Sequence, residues 1–274
     1  MSLTETYTLA NGMTIPKVGF GTWQSKDGEE AYQAVKTALE VGYRHIDTAA
    51  VYGNEESVGR AIKDSGIARE DLFITTKLWA VGTTEDARAA LDESLEKLGL
   101  DYVDLYLIHW PNPKAFRPNF AERNAAVWKA MEEGVRDKKV RAIGVSNFHP
   151  RHLEPLLEVA EIKPVVNQIM VNPSDQQEEV VAFNKAHDIL TEAYSPLGTG
   201  KIFAVTELTD IADKYGKTVA QVVLRWSLHK GYLPLPKSVT ASRIKENADI
   251  FDFDLSKEDI TFIDSLHGKA GLAR

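Results

Sequence analysis

Val103-Asp104-Leu105-Tyr106-Leu107-Ile108-His109 is a short run, apolar almost without a break, that stops at a histidine. A strand with one wet face alternates apolar and polar residues. This run does not, so it reads as a strand of a parallel sheet, covered on both faces. Similar runs are read at Val18–Gly21, Arg44–Asp47, Leu72–Lys77, Val140–Val145, Val165–Ile169, Ile189–Ala193 and Tyr232–Leu235. Together they make eight, starting roughly 24 to 43 residues apart, the room that a strand and its crossover helix require. The pattern alone allows either a doubly wound sheet or a closed barrel.

The segments between these strands read as helices. In the third, Ala87, Ala90, Leu91, Ser94, Leu95 and Leu98 fall on one helical face. Thr83 with Asp86 resembles a capping box at its start, and Gly99 stands where a C-terminal cap belongs. Ahead of the first strand, Tyr7 to Pro16 reads as a β-hairpin, with Asn11-Gly12 supplying two positive-φ turn positions. No linker or low-complexity stretch divides the chain, so a single domain over 1–274 is the economical reading.

Composition narrows the function. The chain has 274 residues and no cysteine, which excludes a disulfide framework, a thiolate metal site and a cysteine nucleophile. A formal charge of −8 argues against nonspecific nucleic-acid binding. No signal peptide or membrane-spanning run is read, and a cytoplasmic protein is expected. His149 and His152, three apart, lack a third ligand and read as a solvated pair, so no metal site is expected. Gly19-Phe20-Gly21 lacks the third glycine of a dinucleotide fingerprint, and Gly198-Thr199-Gly200-Lys201 lacks the spacing of a phosphate loop.

Chemistry gathers at the strand ends. Asp47 ends the second run with Tyr52 just beyond it, Lys77 ends the third, and His109 ends the fourth. A parallel barrel builds its active site from such ends. A free tyrosine has a pKa near 10 and releases its proton reluctantly. A lysine ammonium about 4 Å away would favour the phenolate by roughly 4 kcal/mol, on the order of three pKa units before desolvation opposes it. Lys77 is the candidate for that charge, Asp47 for holding Lys77, Tyr52 for the general acid, and His109 for positioning a carbonyl or relaying the proton. Taken singly, each has an ordinary structural reading. Their placement at successive strand ends sets them apart.

Arg243 and Asn247, four apart, belong on one face of a helix after the last strand, and Lys237 and Ser238 directly follow that strand. Barrels commonly bind phosphate there, and a guanidinium suits a phosphate group.

The chain resembles the aldo-keto reductases, and within them the bacterial 2,5-diketo-gluconate reductase branch. The motifs that carry the resemblance are Gly19-Phe20-Gly21-Thr22-Trp23, Gly42-Tyr43-Arg44-His45-Ile46-Asp47-Thr48-Ala49, Tyr52-Gly53-Asn54-Glu55, Thr76-Lys77-Leu78-Trp79 and Asp104-Leu105-Tyr106-Leu107-Ile108-His109-Trp110-Pro111. They continue through Ile143-Gly144-Val145-Ser146-Asn147-Phe148, Val166-Asn167-Gln168 and Pro236-Lys237-Ser238. The resemblance implies a (β/α)8 TIM barrel with the N-terminal hairpin in front of it. It also implies a catalytic tetrad of Asp47, Tyr52, Lys77 and His109, and NADPH-dependent reduction of aldehydes and small ketones, dicarbonyls and keto-sugars among them, to alcohols.

By the same resemblance Ser146, Asn147 and Gln168 hold the nicotinamide carboxamide and Tyr194 stacks on the ring. Ser195, Leu197, Lys237, Ser238, Arg243, Glu246 and Asn247 complete the cofactor site, and Trp23, Trp79 and Trp110 line the substrate pocket. The expected partner is a small carbonyl compound, with no nucleic acid or membrane, and the expected state is a monomer. The alternative is a non-catalytic NADPH-binding regulatory subunit on the same barrel.

Two departures from the family pattern stand out. Met170 and Asn172 replace a more usual Glu and His, for which local repacking is expected. Little chain follows Ser265-Leu266-His267, which predicts an open pocket accepting several aldehydes and ketones.

Overall fold

A computed structural model of the chain describes residues 2–268. The chain opens with β1 (Thr6–Thr8) and β2 (Thr14–Pro16), which pair antiparallel. The barrel strands follow: β3 (Phe20–Gly21), β4 (His45–Asp47), β5 (Phe73–Leu78), β6 (Val103–Ile108), β7 (Val140–Ser146), β8 (Val166–Met170), β9 (Leu190–Tyr194) and β10 (Leu233–Leu235). Each pairs in parallel with the next in chain order. Backbone bonds from Gly19 N to Pro234 O (3.1 Å) and Gly21 N to Pro236 O (3.0 Å) join the first strand to the last. That closure decides for the barrel over the doubly wound sheet. It is made by single bonds beside β3, a strand of only two residues, which periodicity cannot reveal.

The helices between the strands are α1 (Glu29–Val41), α2 (Glu55–Asp64), α3 (Thr84–Leu98), α4 (Phe120–Arg136), α5 (Pro150–Val159) and α6 (Glu178–Ala186). Two helices, α7 (Thr206–Tyr215) and α8 (Val219–His229), precede β10, and α9 (Ala241–Ala248) and α10 (Lys257–Asp264) follow it. The face read for α3 is the buried one, save that Ala90 is only partly covered. Thr83 Oγ1 accepts from Asp86 N at 3.1 Å and Gly99 is left-handed at φ 64°.

Every residue of β6 is buried. Leu105 and Leu107 join the barrel interior, while Tyr106 and Ile108 face the helices. Asp104, the one charge in that run, accepts from Ile74 N (2.9 Å), Arg69 (2.7 Å) and Arg141 (3.1 Å), so its burial is compensated. The hairpin packs Leu9 and Ile15 against Phe73, Val165 and Leu233, at the ends of the strands opposite Asp47 and Lys77. Its turn differs from expectation. Leu9 N bonds Met13 O, so Ala10-Asn11-Gly12 form a three-residue loop. Gly12 alone takes positive φ, at 83°, while Asn11 accepts from Met13 N instead. A three-residue hairpin loop requires one left-handed residue, not two.

Gly59 marks where α2 meets α3. A Cβ there would lie 2.2 Å from the Leu98 carbonyl oxygen, a backbone atom that cannot swing away. Gly to Ala in a helix normally gains about 1 kcal/mol. Here Gly59→Ala is expected to lose a net 1–3 kcal/mol or so through overpacking, read as a lower urea midpoint at unchanged slope.

Candidate active site

Asp47, Lys77 and His109 come from three successive barrel strands or their immediate ends, and Tyr52 from a 3₁₀ turn at Ala50–Tyr52. That turn is fixed from below. Asn54 donates to Thr22 O and Ser25 O, both at 3.0 Å, and accepts from the Thr48 hydroxyl at 3.0 Å, tying the β3 and β4 loops together. Glu55 accepts from the Thr76 hydroxyl at 2.5 Å, holding the start of α2 on β5.

Lys77 is wholly buried, and its ammonium has three partners. It donates to Asp47 Oδ1 (2.6 Å), Thr48 O (2.8 Å) and Tyr52 OH (3.3 Å). The second oxygen of Asp47 accepts from Gln168 Nε2 at 2.8 Å. Burial opposes the charge on Lys77, but Asp47 and then Tyr52 outweigh it, and its pKa ends raised. For Tyr52 the balance differs from the expectation above. Burial raises its pKa most, Lys77 lowers it, Asp47 raises it again, and the net is upward. The site therefore keeps the phenol protonated at rest.

His109 sits edge-on between two aromatic rings, Tyr52 at 5.7 Å and Trp79 at 5.2 Å between centroids. Burial, with the Lys77 charge behind it, pushes its pKa down to about 3, so the imidazole is neutral at physiological pH. Its Nδ1 is buried without a hydrogen-bond partner. Trp79 and Trp23 are exposed, and Trp110 is partly buried at the end of β6. Apolar rings of this size left open beside a polar cluster suit a ligand that is itself partly apolar.

The residues expected to hold a cofactor fall into two groups. Ser146, Asn147, Gln168 and Tyr194 lie at the ends of β7, β8 and β9 and join the tetrad directly. Asn147 donates to His109 O (3.0 Å) and accepts from Tyr194 OH (2.7 Å), and Ser146 Oγ donates to Gln168 O (2.8 Å). Asn147 and Ser195 both hold positive φ, 63° and 47°, a backbone conformation that side chains rarely adopt. The second group lies farther round the rim. Lys237 reaches Gln24 O at 3.3 Å, and Ser238 Oγ accepts from Thr240 N at 3.0 Å. Leu197 leads into a 3₁₀ segment at Gly198–Ala204. On α9, Arg243 is exposed and Asn247 buried, while Glu246 accepts from the Thr218 hydroxyl at 2.9 Å.

The Aldo/keto reductase family matches residues 17–267. Glyoxal reductase of Bacillus subtilis is 49% identical over 267 residues, covering 97% of this chain and 94% of the relative. Methylglyoxal reductase DkgA of Escherichia coli K12 is 47% identical over 254 residues, covering 92% and 90%. A Bombyx mori aldo-keto reductase solved in complex with NADP superposes with a TM-score of 0.88 at 39% identity, over 100% of this chain and 95% of that one. The chain belongs to the aldo/keto reductase family. It is an NADP-dependent oxidoreductase that reduces carbonyl groups, with NADPH/NADP+ as its cofactor and small carbonyl compounds as substrates.

As in a reductase of this family, the residues present fit that cofactor. Ser146, Asn147 and Gln168 stand together beside the Tyr194 ring, and with Gln168 Nε2 committed to Asp47 and Glu192, the Gln168 amide oxygen is left to accept from a carboxamide N–H. Arg243 makes no ion pair among the described residues, so a guanidinium is free for phosphate. No group of three or more His, Asp or Glu side chains that could hold a metal occurs among the described residues, and no described helix is long and apolar enough to cross a membrane.

His149 and His152 are not a solvated pair. His152 is buried and its Nδ1 accepts from His149 N at 3.1 Å, capping α5. The Asn172 departure has a local account: its Oδ1 accepts from Ser174 N (3.0 Å) and Asp175 N (3.2 Å), folding the turn after β8. Met170 stays partly exposed at the end of β8, and Gln168 keeps its place. The last few residues bearing on the expected short C-terminal segment, 269–274, lie outside the described residues.

The sequence reading missed Glu192 and His45. Both are fully buried in the barrel beneath the tetrad. Glu192 was legible in principle, as the one carboxylate inside the apolar run from Ile189 to Tyr194.

Proposed function

We propose that this enzyme reduces small aldehydes and α-dicarbonyls to alcohols, with Tyr52 as the proton donor. The observation that carries the reading is the Lys77 ammonium, wholly buried and held between Asp47 at 2.6 Å and Tyr52 at 3.3 Å. When bound, NADPH supplies the hydride. Tyr52, protonated at rest, gives its proton to the carbonyl oxygen as that oxygen gains charge. Lys77 stabilises the phenolate left behind, in a buried setting where charges interact far more strongly than in water. Asp47 holds Lys77 charged. His109, neutral and so unable to serve as an imidazolium acid, orients the carbonyl oxygen through a ring N–H.

Ser146, Asn147 and Gln168 hold the nicotinamide carboxamide in this reading, and Tyr194 backs the ring. Ser195, Leu197, Lys237, Ser238, Arg243, Glu246 and Asn247 bind the remainder of the cofactor, with Arg243 facing the 2′-phosphate. Trp23, Trp79 and Trp110 wall the substrate. The names of the glyoxal and methylglyoxal reductases point to dicarbonyls; keto-sugars are the second class to try. The enzyme is proposed to act as a monomer in the cytoplasm, with no nucleic-acid or membrane partner.

The test is cofactor consumption, NADPH beside NADH, across glyoxal, methylglyoxal, aromatic aldehydes and keto-sugars. The highest kcat/KM is expected for a dicarbonyl with NADPH. A keto-sugar preferred tenfold or more would move the substrate class. Tight NADPH binding by fluorescence titration, with every carbonyl inert, would favour the regulatory-subunit alternative.

A further inference from the structure

Glu192 lies on β9 directly across from Gln168 on β8, with no exposed surface. The Gln168 side chain uses its one nitrogen twice, donating to Asp47 Oδ2 and to Glu192 Oε2, both at 2.8 Å. Lys77, Asp47, Gln168 and Glu192 thus form one buried chain of hydrogen bonds, with Tyr52 at its upper end.

We propose that Glu192 is a positioning residue for the reduction: by binding the Gln168 amide nitrogen it keeps that nitrogen on Asp47, and so fixes Asp47 and Lys77 against Tyr52. The proposal rests on the reading of Tyr52 as proton donor. An amide has two ends of nearly equal shape, one donating and one accepting. Two acceptors, Asp47 and Glu192, hold the donating end in place. With Glu192 removed, a single bond to Asp47 is left to orient Gln168, and the second oxygen of Asp47 loses its fixed partner.

The charge on Glu192 matters as much as its place. It makes no ion pair with lysine or arginine among the described residues, and His45 Nε2 is 4.0 Å from its free oxygen. His45 bonds the Thr75 hydroxyl at 3.0 Å and is held neutral by burial, with a pKa near 3. A carboxylate without a cation is costly in such a place, so Glu192 keeps its proton at neutral pH. Burial, then the charge of Asp47, pushes its pKa up to about 8.

The titratable groups around it are His45 and Asp47 on β4, Lys77 on β5 and Tyr52 beyond. Its cross-strand neighbours on β8 and β10, Gln168 and Leu233, carry none. When Glu192 ionises, a second anion joins Asp47 inside the barrel. Lys77 then holds its proton more tightly, the Tyr52 phenolate is disfavoured, and Tyr52 becomes a poorer acid. The rate therefore falls on the basic side as Glu192 loses its proton.

The test is the single-turnover rate of methylglyoxal reduction between pH 6 and 10, for the wild type, Glu192→Gln and Glu192→Leu, with NADPH titration and melting curves alongside. Gln keeps an acceptor oxygen for Gln168 and cannot ionise. Glu192→Gln is expected to stay within about threefold of the wild type at pH 7 and to lose the decline near pH 8. Glu192→Leu, where it folds, is expected to lose about tenfold or more in rate at pH 7, with NADPH affinity changed far less. A basic decline retained unaltered in Glu192→Gln overturns the proposal, as does a folded Glu192→Leu with the wild-type rate. Should Leu prevent folding, the Gln profile decides. An active Tyr52→Phe would remove the proton-donor reading itself. An inactive Tyr52→Phe beside an unchanged Glu192→Gln profile removes only the role of Glu192.

Discussion

Tyr52→Phe is expected to lower the reduction rate by about 10²–10⁴-fold, the usual worth of a positioned general acid, while NADPH binding changes little. The substitution removes one oxygen and keeps the ring, so the edge-on contact with His109 at 5.7 Å survives. Lys77 keeps Asp47 Oδ1 and Thr48 O as partners, which leaves no buried charge stranded. The variant therefore isolates the proton. His109 cannot take over easily, because a group with a pKa near 3 holds no transferable extra proton at neutral pH. Single-turnover rates with a dicarbonyl and a fluorescence titration with NADPH check the two halves. A rate within tenfold of the wild type would hand the acid role to another group.

Lys77→Met is expected to cost both activity and stability. It leaves Asp47, 3% exposed, as an anion whose cation has gone. Removing one partner of a buried ion pair typically costs about 3–5 kcal/mol, because the surviving charge stays desolvated. At roughly 2–4 °C per kcal/mol for a chain near this size, the melting point should fall by about ten degrees. Asp47→Asn added to Lys77→Met removes the stranded charge and is expected to return part of that loss, so the two changes will not add. Melting curves for both singles and the double close the cycle. Strict additivity would mean that the 2.6 Å contact contributes nothing to stability.

Much of this molecule was legible in its sequence. The strand after Leu100 had to be buried on both faces, because an apolar run of that kind has no wet side to offer, and all of β6 is indeed covered. The ends of the strands announced Asp47, Lys77 and His109, since polar residues that terminate apolar runs have nowhere to go but the rim. The turn at Asn11-Gly12 was seen, but its type was not: loop length, set by the register of Leu9 on Met13, chose between one left-handed residue and two. His152 was misjudged because spacing of three residues says nothing about which ring is covered.

The net shift of Tyr52 shows the boundary most clearly. Sequence supplied a lysine and a tyrosine, and Coulomb's law supplied the sign of their interaction. Only the folded barrel supplies the depth of burial, and burial wins.

By itself, then, the sequence determined the alternation of strands and helices, the family motifs, and which polar side chains stand at the strand ends. These are local properties, fixed by periodicity and by the chemistry of single residues. Only the tertiary structure decided that the sheet closes, that Lys77 stands 3.3 Å from Tyr52, and that Glu192 on β9 reaches Asp47 on β4 through Gln168. Those contacts join residues far apart in the chain, and their energies depend on distance and on exclusion of water, which no linear spacing encodes.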